Sequence, residues 1–171
     1  MIERYTRPQM GRIWSTDSRY RTWLAVEVAV TEALERRGRV PAGTARAIAA
    51  VESVDPARVD ELEATLNHDV IAFLTAVTEK AGPAARFLHF GMTSSDLVDT
   101  AQGLTLRRAG LQIRAGLVDL IEVLKQQALE YRHTPCVGRT HGVIAEPTTF
   151  GFKLLGFYCE MERHRTRLDE A

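Results

Sequence analysis

The sequence predicts an all-α protein, with an N-terminal helical domain over residues 1–92 and the first long helices of a bundle over residues 93–171. Three observations carry this reading. Apolar residues recur at helical spacing along most of the chain, no proline interrupts residues 93–132, and alternating strand patterns are almost absent. With 45% hydrophobic and 26% charged residues, and only 6 Pro and 12 Gly in 171 positions, the chain is too apolar and too poor in breakers to be disordered, collagenous or of low complexity. Internal repeats and Ser/Gly linkers are absent.

After a polar opening segment, Ser15-Thr16-Asp17-Ser18 offers N-cap residues. Tyr20, Trp23, Leu24, Val28 and Leu34 follow at helical spacing until Gly38 and Pro41 stop the pattern. A shorter helical stretch follows Pro41. Asp55-Pro56 then reads as an N-cap with proline at the first helical position, opening a helix that ends near Leu66. Asn67 is expected to cap the next helix, whose Val70, Ile71, Leu74 and Val77 share a face, and Gly82-Pro83 ends it. Residues 87–92 read as a loop. From Thr93-Ser94-Ser95-Asp96 to about Arg132 one very long helix is expected. Leu97, Leu104, Leu111 and Val118 form one stripe on it, and Leu106, Ile113, Leu117, Leu120 and Leu124 a second. Two apolar stripes need more than one packing partner, which points to an oligomer. Residues 133–147, holding Pro135, Gly138, Gly142 and Pro147, read as a structured loop. Pro147 is then expected to open a last helix with Phe150, Leu154, Phe157 and Met161 on one face. No stop signal precedes Ala171, so the pattern reads as truncated.

Lys+Arg and Asp+Glu number 22 each, so no global field draws the chain to nucleic acid or to a membrane surface. No apolar run is long enough for a signal peptide core or a membrane span, which makes a cytoplasmic location the expectation. Cys136 and Cys159 form no CxxC pair and read as small apolar fillers. HExxH is missing, and Cys136-x4-His141 with distant His68 and His89 has no zinc spacing, so no metal is expected. P-loop, Rossmann and Gly-x-Ser-x-Gly signatures are missing too.

Chemistry is concentrated in three connectors, each with a histidine beside small polar residues: Asn67-His68-Asp69, His89 to Asp96, and Arg139-Thr140-His141-Gly142. Thr93-Ser94-Ser95 brings hydroxyls and free backbone N–H groups to the positive end of a long helix, an arrangement that suits an anion as well as an ordinary cap. Gly91 before it lets backbone come close to a ligand or simply makes a turn. His141 lies between polar and glycine residues, where imidazole, with a reference pKa near ~6.5, can serve as general acid or base. His68 alone reads equally well as a helix-start residue bonded to its own turn. Arg4-Tyr5 can grip a phosphate or remain a solvated tail. His133 and His164 are assigned structural roles.

Taken together, these strings resemble the adenylosuccinate lyase branch of the fumarase/aspartase superfamily. The resemblance rests on Arg4-Tyr5 with Met10 and Trp14, on Asn67-His68-Asp69-Val70, on Gly91-Met92-Thr93-Ser94-Ser95-Asp96-Leu97-Val98-Asp99-Thr100, and on Arg139-Thr140-His141-Gly142 with Glu146-Pro147-Thr148-Thr149-Phe150-Gly151. It implies a fumarase/aspartase-type helical bundle, assembled as a homotetramer whose active sites are shared between subunits. The implied reaction is a β-elimination that needs no cofactor, releasing fumarate from a small nucleotide substrate. Adenylosuccinate would give AMP, and the succinylated aminoimidazole carboxamide ribotide would react likewise in purine synthesis. The implied catalytic residues are His141, as the acid that protonates the leaving nitrogen, and His68, which assists it. Arg4 and Tyr5 would bind the phosphate, with His89 close by. Asn67 and Asp69 would line the substrate wall, Thr93 and Ser94 would bond the succinyl group, and Thr140 would orient substrate beside His141. The family's later Gly-Ser-Ser-x-Met-Pro-x-Lys-x-Asn-Pro loop, whose serine is taken as the base at Cβ, is absent from this sequence. The 171-residue chain by itself is therefore expected to be inactive. Argininosuccinate lyase and carboxymuconate cycloisomerase are the neighbouring alternatives within the superfamily. A non-catalytic helical oligomerisation module is the alternative outside it.

Overall fold

Short-range hydrogen-bonding side chains set the helix starts, and glycine or asparagine in the left-handed region sets several of the stops. The computed structural model describes residues 2–171, among which lie seven α-helices, two 3-10 turns and one two-stranded antiparallel sheet. Two compact units divide the chain, one ending at Ala109 and the other running from Gly110 to Ala171.

The first unit opens with a 3-10 turn, Glu3–Tyr5, and helix α1, Pro8–Ile13. Both lie in the segment read from sequence only as polar, because six residues are too few to show helical periodicity. Helix α2 spans Thr16–Arg36, and Ser15 Oγ accepts from the Ser18 N–H at 3.1 Å, the cap expected of it. It ends in a Schellman motif: Gly38, at φ 65°, donates to the Glu35 carbonyl, and Arg39 donates to the Leu34 carbonyl. Helix α3 is Thr44–Ala49, and α4 is Pro56–Leu66 with Asp55 Oδ1 capping Ala57 N–H. Helix α5 runs Asp69–Ala81 and stops at Gly82, at φ 63°, with a 3-10 turn over Gly82–Phe87.

The cap of α5 differs from expectation. Asn67 instead closes α4, adopting φ 54° while its N–H bonds the Glu63 carbonyl at 2.8 Å. Asparagine tolerates the left-handed region better than other residues with a β-carbon, so it stops a helix as well as it starts one. The cap of α5 falls to His68, whose Nδ1 accepts from the Ile71 N–H at 3.4 Å.

The core of this unit is aromatic at its centre. Tyr20 and Trp23 of α2 meet Phe73 of α5. Tyr20 and Phe73 stack with ring centroids 5.6 Å apart, while Trp23 meets Phe73 edge-on at 5.2 Å. Ile48, Val59, Val70, Val77 and Leu97 complete the packing. Outside it, Arg58 of α4 forks onto Glu79 of α5, with Nε to Oε2 at 3.1 Å and Nη2 to Oε1 at 2.7 Å. That guanidinium, by hydrogen bonding first and charge second, holds the Glu79 carboxyl below the usual carboxylate range. A depressed folded-state value stabilises the fold above the unfolded value and stops doing so as pH falls through the folded one. Glu79→Gln is therefore expected to lower the thermal midpoint slightly at neutral pH and to converge with the parent as pH falls, so that the acid limb of the midpoint measured against pH is flatter. An acid limb as steep as the parent's would show that the pair contributes nothing.

Helix α6, Ser94–Glu130, is the single proline-free helix expected. Its 37 residues span about 55 Å at a rise of ~1.5 Å each. The second unit packs the C-terminal part of α6 against α7, Phe150–Glu170. Ile121 and Ala128 are buried on α6, and Leu154, Tyr158 and Met161 are half-buried on α7, whereas Phe157 faces outward. The two helices run antiparallel. Gly151 at the start of α7 sits against Ala128 and Arg132, and Asp169 near its end takes Arg114 Nε at 2.5 Å. Leu111, Ile113, Val118 and Leu120 of α6, with Phe152 and Leu155 of α7, remain exposed.

Between the helices the structure corrects the sequence reading. Residues 133–147 are not a loop, and Pro147 does not open a helix. Strand β1, Pro135–Thr140, pairs antiparallel with β2, Val143–Thr149, in the register Pro135↔Thr149 and Thr140↔Val143, with an irregularity between Val137 and Arg139. Pro147 lies inside β2, where a two-stranded ribbon leaves an outer edge that needs no N–H. The ribbon is mostly exposed on both faces in this chain, so no alternation marked it in the sequence. Helix α7 begins only after Thr149, whose Oγ1 accepts from the Phe152 N–H at 3.2 Å.

Gly151 leaves no room for a side chain. A β-carbon there would stand 2.6 Å from both N and Cα of Arg132 and collide with the Ala128 carbonyl oxygen. Gly151→Ala is expected to cost about 1–3 kcal/mol through this overpacking, read as a lowered urea midpoint. A midpoint equal to the parent's would mean that α7 shifts freely on α6.

Candidate active site

Three residues other than glycine adopt positive φ among the described residues: Asn67 at 54°, His89 at 60° and His141 at 53°. Each falls in one of the three connectors in which chemistry was read. Residues with a β-carbon are uncommon in this region, and such strained positions concentrate where a structure presents groups for binding or catalysis.

In the first unit, the stop of α4 and the start of α5 set Asn67, His68 and Asp69 in consecutive positions. Asn67 Nδ2 donates to the Thr65 carbonyl at 3.3 Å. Asp69 Oδ1 accepts from the Val70 N–H at 2.7 Å and lies 3.5 Å from His68 Nδ1. All three are exposed. Arg4 and Tyr5 share the first 3-10 turn, with the guanidinium 4.9 Å from the centre of the Tyr5 ring, and both face outward.

The segment from His89 to Asp96 is held from two sides. His89 gives its backbone N–H to Glu27 Oε2 at 2.9 Å, and its Nδ1 lies 2.6 Å from Glu27 Oε1. At the start of α6 the Asp96 carboxylate reaches back to the Thr93 N–H at 2.9 Å, the acidic half of a capping box. The Asp96 N–H, which the Thr93 hydroxyl would accept in a full capping box, is bonded instead to the Thr93 carbonyl at 3.0 Å. Gly91, at φ 76°, has open space where a β-carbon would stand, which leaves backbone accessible at the helix's positive end.

In the second unit, Thr140 ends β1 and His141-Gly142 form the turn into β2. With φ 53° and 73°, and Thr140 paired to Val143, this is a two-residue hairpin turn of the left-handed kind that matches strand twist. Histidine takes the place asparagine usually fills. Its imidazole is exposed at the tip, carried by the ladder beneath it.

Among the described residues of the first unit, no hydrogen bond or ion pair joins Arg4-Tyr5, Asn67-His68-Asp69 and the His89 to Ser94 segment to one another. The sequence reading missed Glu27. A signal was present: Glu27 follows Trp23 by four positions and Leu24 by three, so it sits on the buried face of α2, where a carboxylate needs a partner. No helix of the described chain is long and apolar enough to cross a membrane.

A family model described as lyase matches residues 3–171. The chain belongs to the lyase family. This lyase chain is 49% identical over 168 residues to the adenylosuccinate lyase of Synechocystis sp., covering 98% of the chain and 39% of that relative. It is 44% identical over 171 residues to the adenylosuccinate lyase of Thermotoga maritima, covering 100% of the chain and 40% of the relative. The chain thus spans about two fifths of the length of the curated relatives it matches. Among solved structures, the lyase chain superposes on a 3-carboxy-cis,cis-muconate lactonizing enzyme from Pseudomonas putida with a TM-score of 0.91 and 37% identity, over 97% of this chain and 40% of that one. A fumarate lyase from Mesorhizobium sp. gives a TM-score of 0.88 at 30% identity, over 94% and 39%. These matches bear out the expected fold, an all-helical lyase fold of the fumarase/aspartase superfamily, to which the structure adds one small hairpin.

Proposed function

We propose that this chain serves in an adenylosuccinate lyase, which eliminates fumarate from adenylosuccinate to leave AMP and acts likewise on the succinylated aminoimidazole carboxamide ribotide. The observation that carries the reading is the 44% identity to an adenylosuccinate lyase over 100% of the chain, and so through every connector described above. In this reading the C–N bond breaks as the Cβ proton leaves, the nitrogen keeps the bonding pair, and His141 supplies its proton. The hairpin turn supports that role by fixing an exposed imidazole on a hydrogen-bonded ladder. His68 assists, Asn67 and Asp69 line the substrate wall, and Thr140 orients the leaving group beside His141. Thr93 and Ser94 bond the succinyl carboxylates at the positive end of α6. Arg4 and Tyr5 take the phosphate, with His89 near it. Removal of the Cβ proton is assigned to the family's serine loop, which this sequence does not contain.

A homotetramer in the cytoplasm, with active sites shared between subunits, belongs to the same reading. The exposed apolar residues along α6 and α7 support it.

The test is fumarate and AMP released in equal amounts from adenylosuccinate by the protein at the length its own cells produce. Turnover of a carboxymuconate with the nucleotide left intact would favour the cycloisomerase alternative instead. Arg4→Ala in that protein is expected to weaken AMP binding by about tenfold or more, the worth of a hydrogen bond to a charged group. An unchanged dissociation constant would remove Arg4 from the phosphate site.

A further inference from the structure

Glu27 is fully buried on α2 and, among the described residues, has no arginine or lysine within salt-bridge distance. Both of its carboxylate oxygens serve one residue, His89, 62 positions further along the chain. Burying an ionised carboxylate costs several kcal/mol unless its lone pairs are well used, and here they are used to hold one histidine twice. The bond to the backbone N–H keeps His89 at φ 60°, a conformation that residues with a β-carbon leave readily unless held. The bond to the ring decides its proton arrangement. An ionised carboxylate only accepts, so Nδ1 must carry hydrogen, and Nε2 is the nitrogen left for another group: a donor to an anionic oxygen when the ring is protonated, an acceptor when it is neutral. The His89 side chain keeps 15% of its surface exposed while Glu27 keeps 1%. The carboxylate is therefore closed off from solvent while a small part of the imidazole reaches it, two positions before Gly91, where a β-carbon would meet open space.

We propose that Glu27 is a positioning residue for nucleotide binding: it fixes the backbone and ring orientation of His89 so that the Nε2–H of the protonated ring is offered to the anionic end of the substrate. The inference rests on the functional reading given above. A merely structural carboxylate would not need this particular pairing, and the isosteric variant separates the two roles. Glutamine at position 27 fills the same space but has one acceptor where His89 presents two donors. Its amide NH2 must then face either the His89 N–H or the ring.

The measurement is the dissociation constant of AMP, by calorimetry, for the protein at natural length and for Glu27→Gln, His89→Ala and the double variant, with thermal midpoints recorded alongside. Glu27→Gln is expected to weaken AMP binding about tenfold, His89→Ala at least as much, and the pair together no more than His89→Ala alone, as coupled groups do. Should Glu27→Gln not fold, Glu27→Asp keeps both acceptors but draws them back by one methylene, and a weakening of about threefold, again absent in the His89→Ala background, is expected. AMP affinity equal to the parent's in the folded Glu27 variant overturns the proposal, as does a loss that simply adds to that of His89→Ala. A parent protein that binds no AMP overturns it as well. Fumarate release is assayed separately. A parent that binds AMP with the coupled losses but releases no fumarate leaves Glu27 in its role and removes the lyase reading, whereas fumarate release with uncoupled losses does the reverse.

Discussion

Replacing His141 by asparagine, in the protein at natural length, is expected to lower the rate of fumarate release by about 10²–10⁴-fold, the range general acid catalysis contributes. Asparagine is the informative substitution because of the turn. Position 141 requires φ 53° ahead of Gly142 at 73°, and Asn-Gly is the pair this hairpin geometry favours most. The β1–β2 ladder should survive, and thermal stability should hold or rise slightly. AMP affinity should change little, since the loss falls on the chemical step rather than on the phosphate end. His141→Ala is less clean, because alanine resists the left-handed backbone and the turn could open. Fumarate release at the parent rate in His141→Asn would end the assignment of His141 as the acid.

The second large effect is on stability. Phe73→Ala is expected to destabilise the fold by about 3–5 kcal/mol, the usual range for a fully buried phenylalanine. Phe73 is stacked on Tyr20 and meets Trp23 edge-on, so its removal empties the centre of the first unit and leaves two aromatic rings without their shared partner. Helix α5 carries Phe73, and α2 carries the other two rings, which limits how far the site can collapse. Denaturant unfolding followed by Trp23 fluorescence should report it, and a midpoint shift worth less than about 1 kcal/mol would show that neighbouring side chains fill the void.

Where the sequence was legible, a local chemical signal stood beside a long pattern. Ser15, Asp55 and Gly82 mark helix ends in both readings, and the absence of proline foretold α6 in one piece. Where a signal was local but ambiguous, the reading slipped by one position. Asn67 and His68 can each cap a helix, and only the chain geometry gives the stop to one and the start to the other. The β1–β2 hairpin was invisible because alternation records burial on one face, and this ribbon is mostly exposed on both. Of the candidate site, the connectors were legible as clusters of residue types. The tie between Glu27 and His89 was not, since it joins positions 62 apart that only tertiary packing brings together.

The hairpin turn also narrows what evolution can do at its tip. Two filters act on position 141. The backbone admits chiefly glycine, asparagine, aspartate and histidine without serious strain. Proton exchange near neutral pH admits chiefly histidine. The two sets meet in a single residue. If His141 is the acid proposed above, drift at position 141 keeps the fold while silencing the chemistry, and a descendant carrying Asn-Gly at this turn would be a well-folded protein without the proposed reaction.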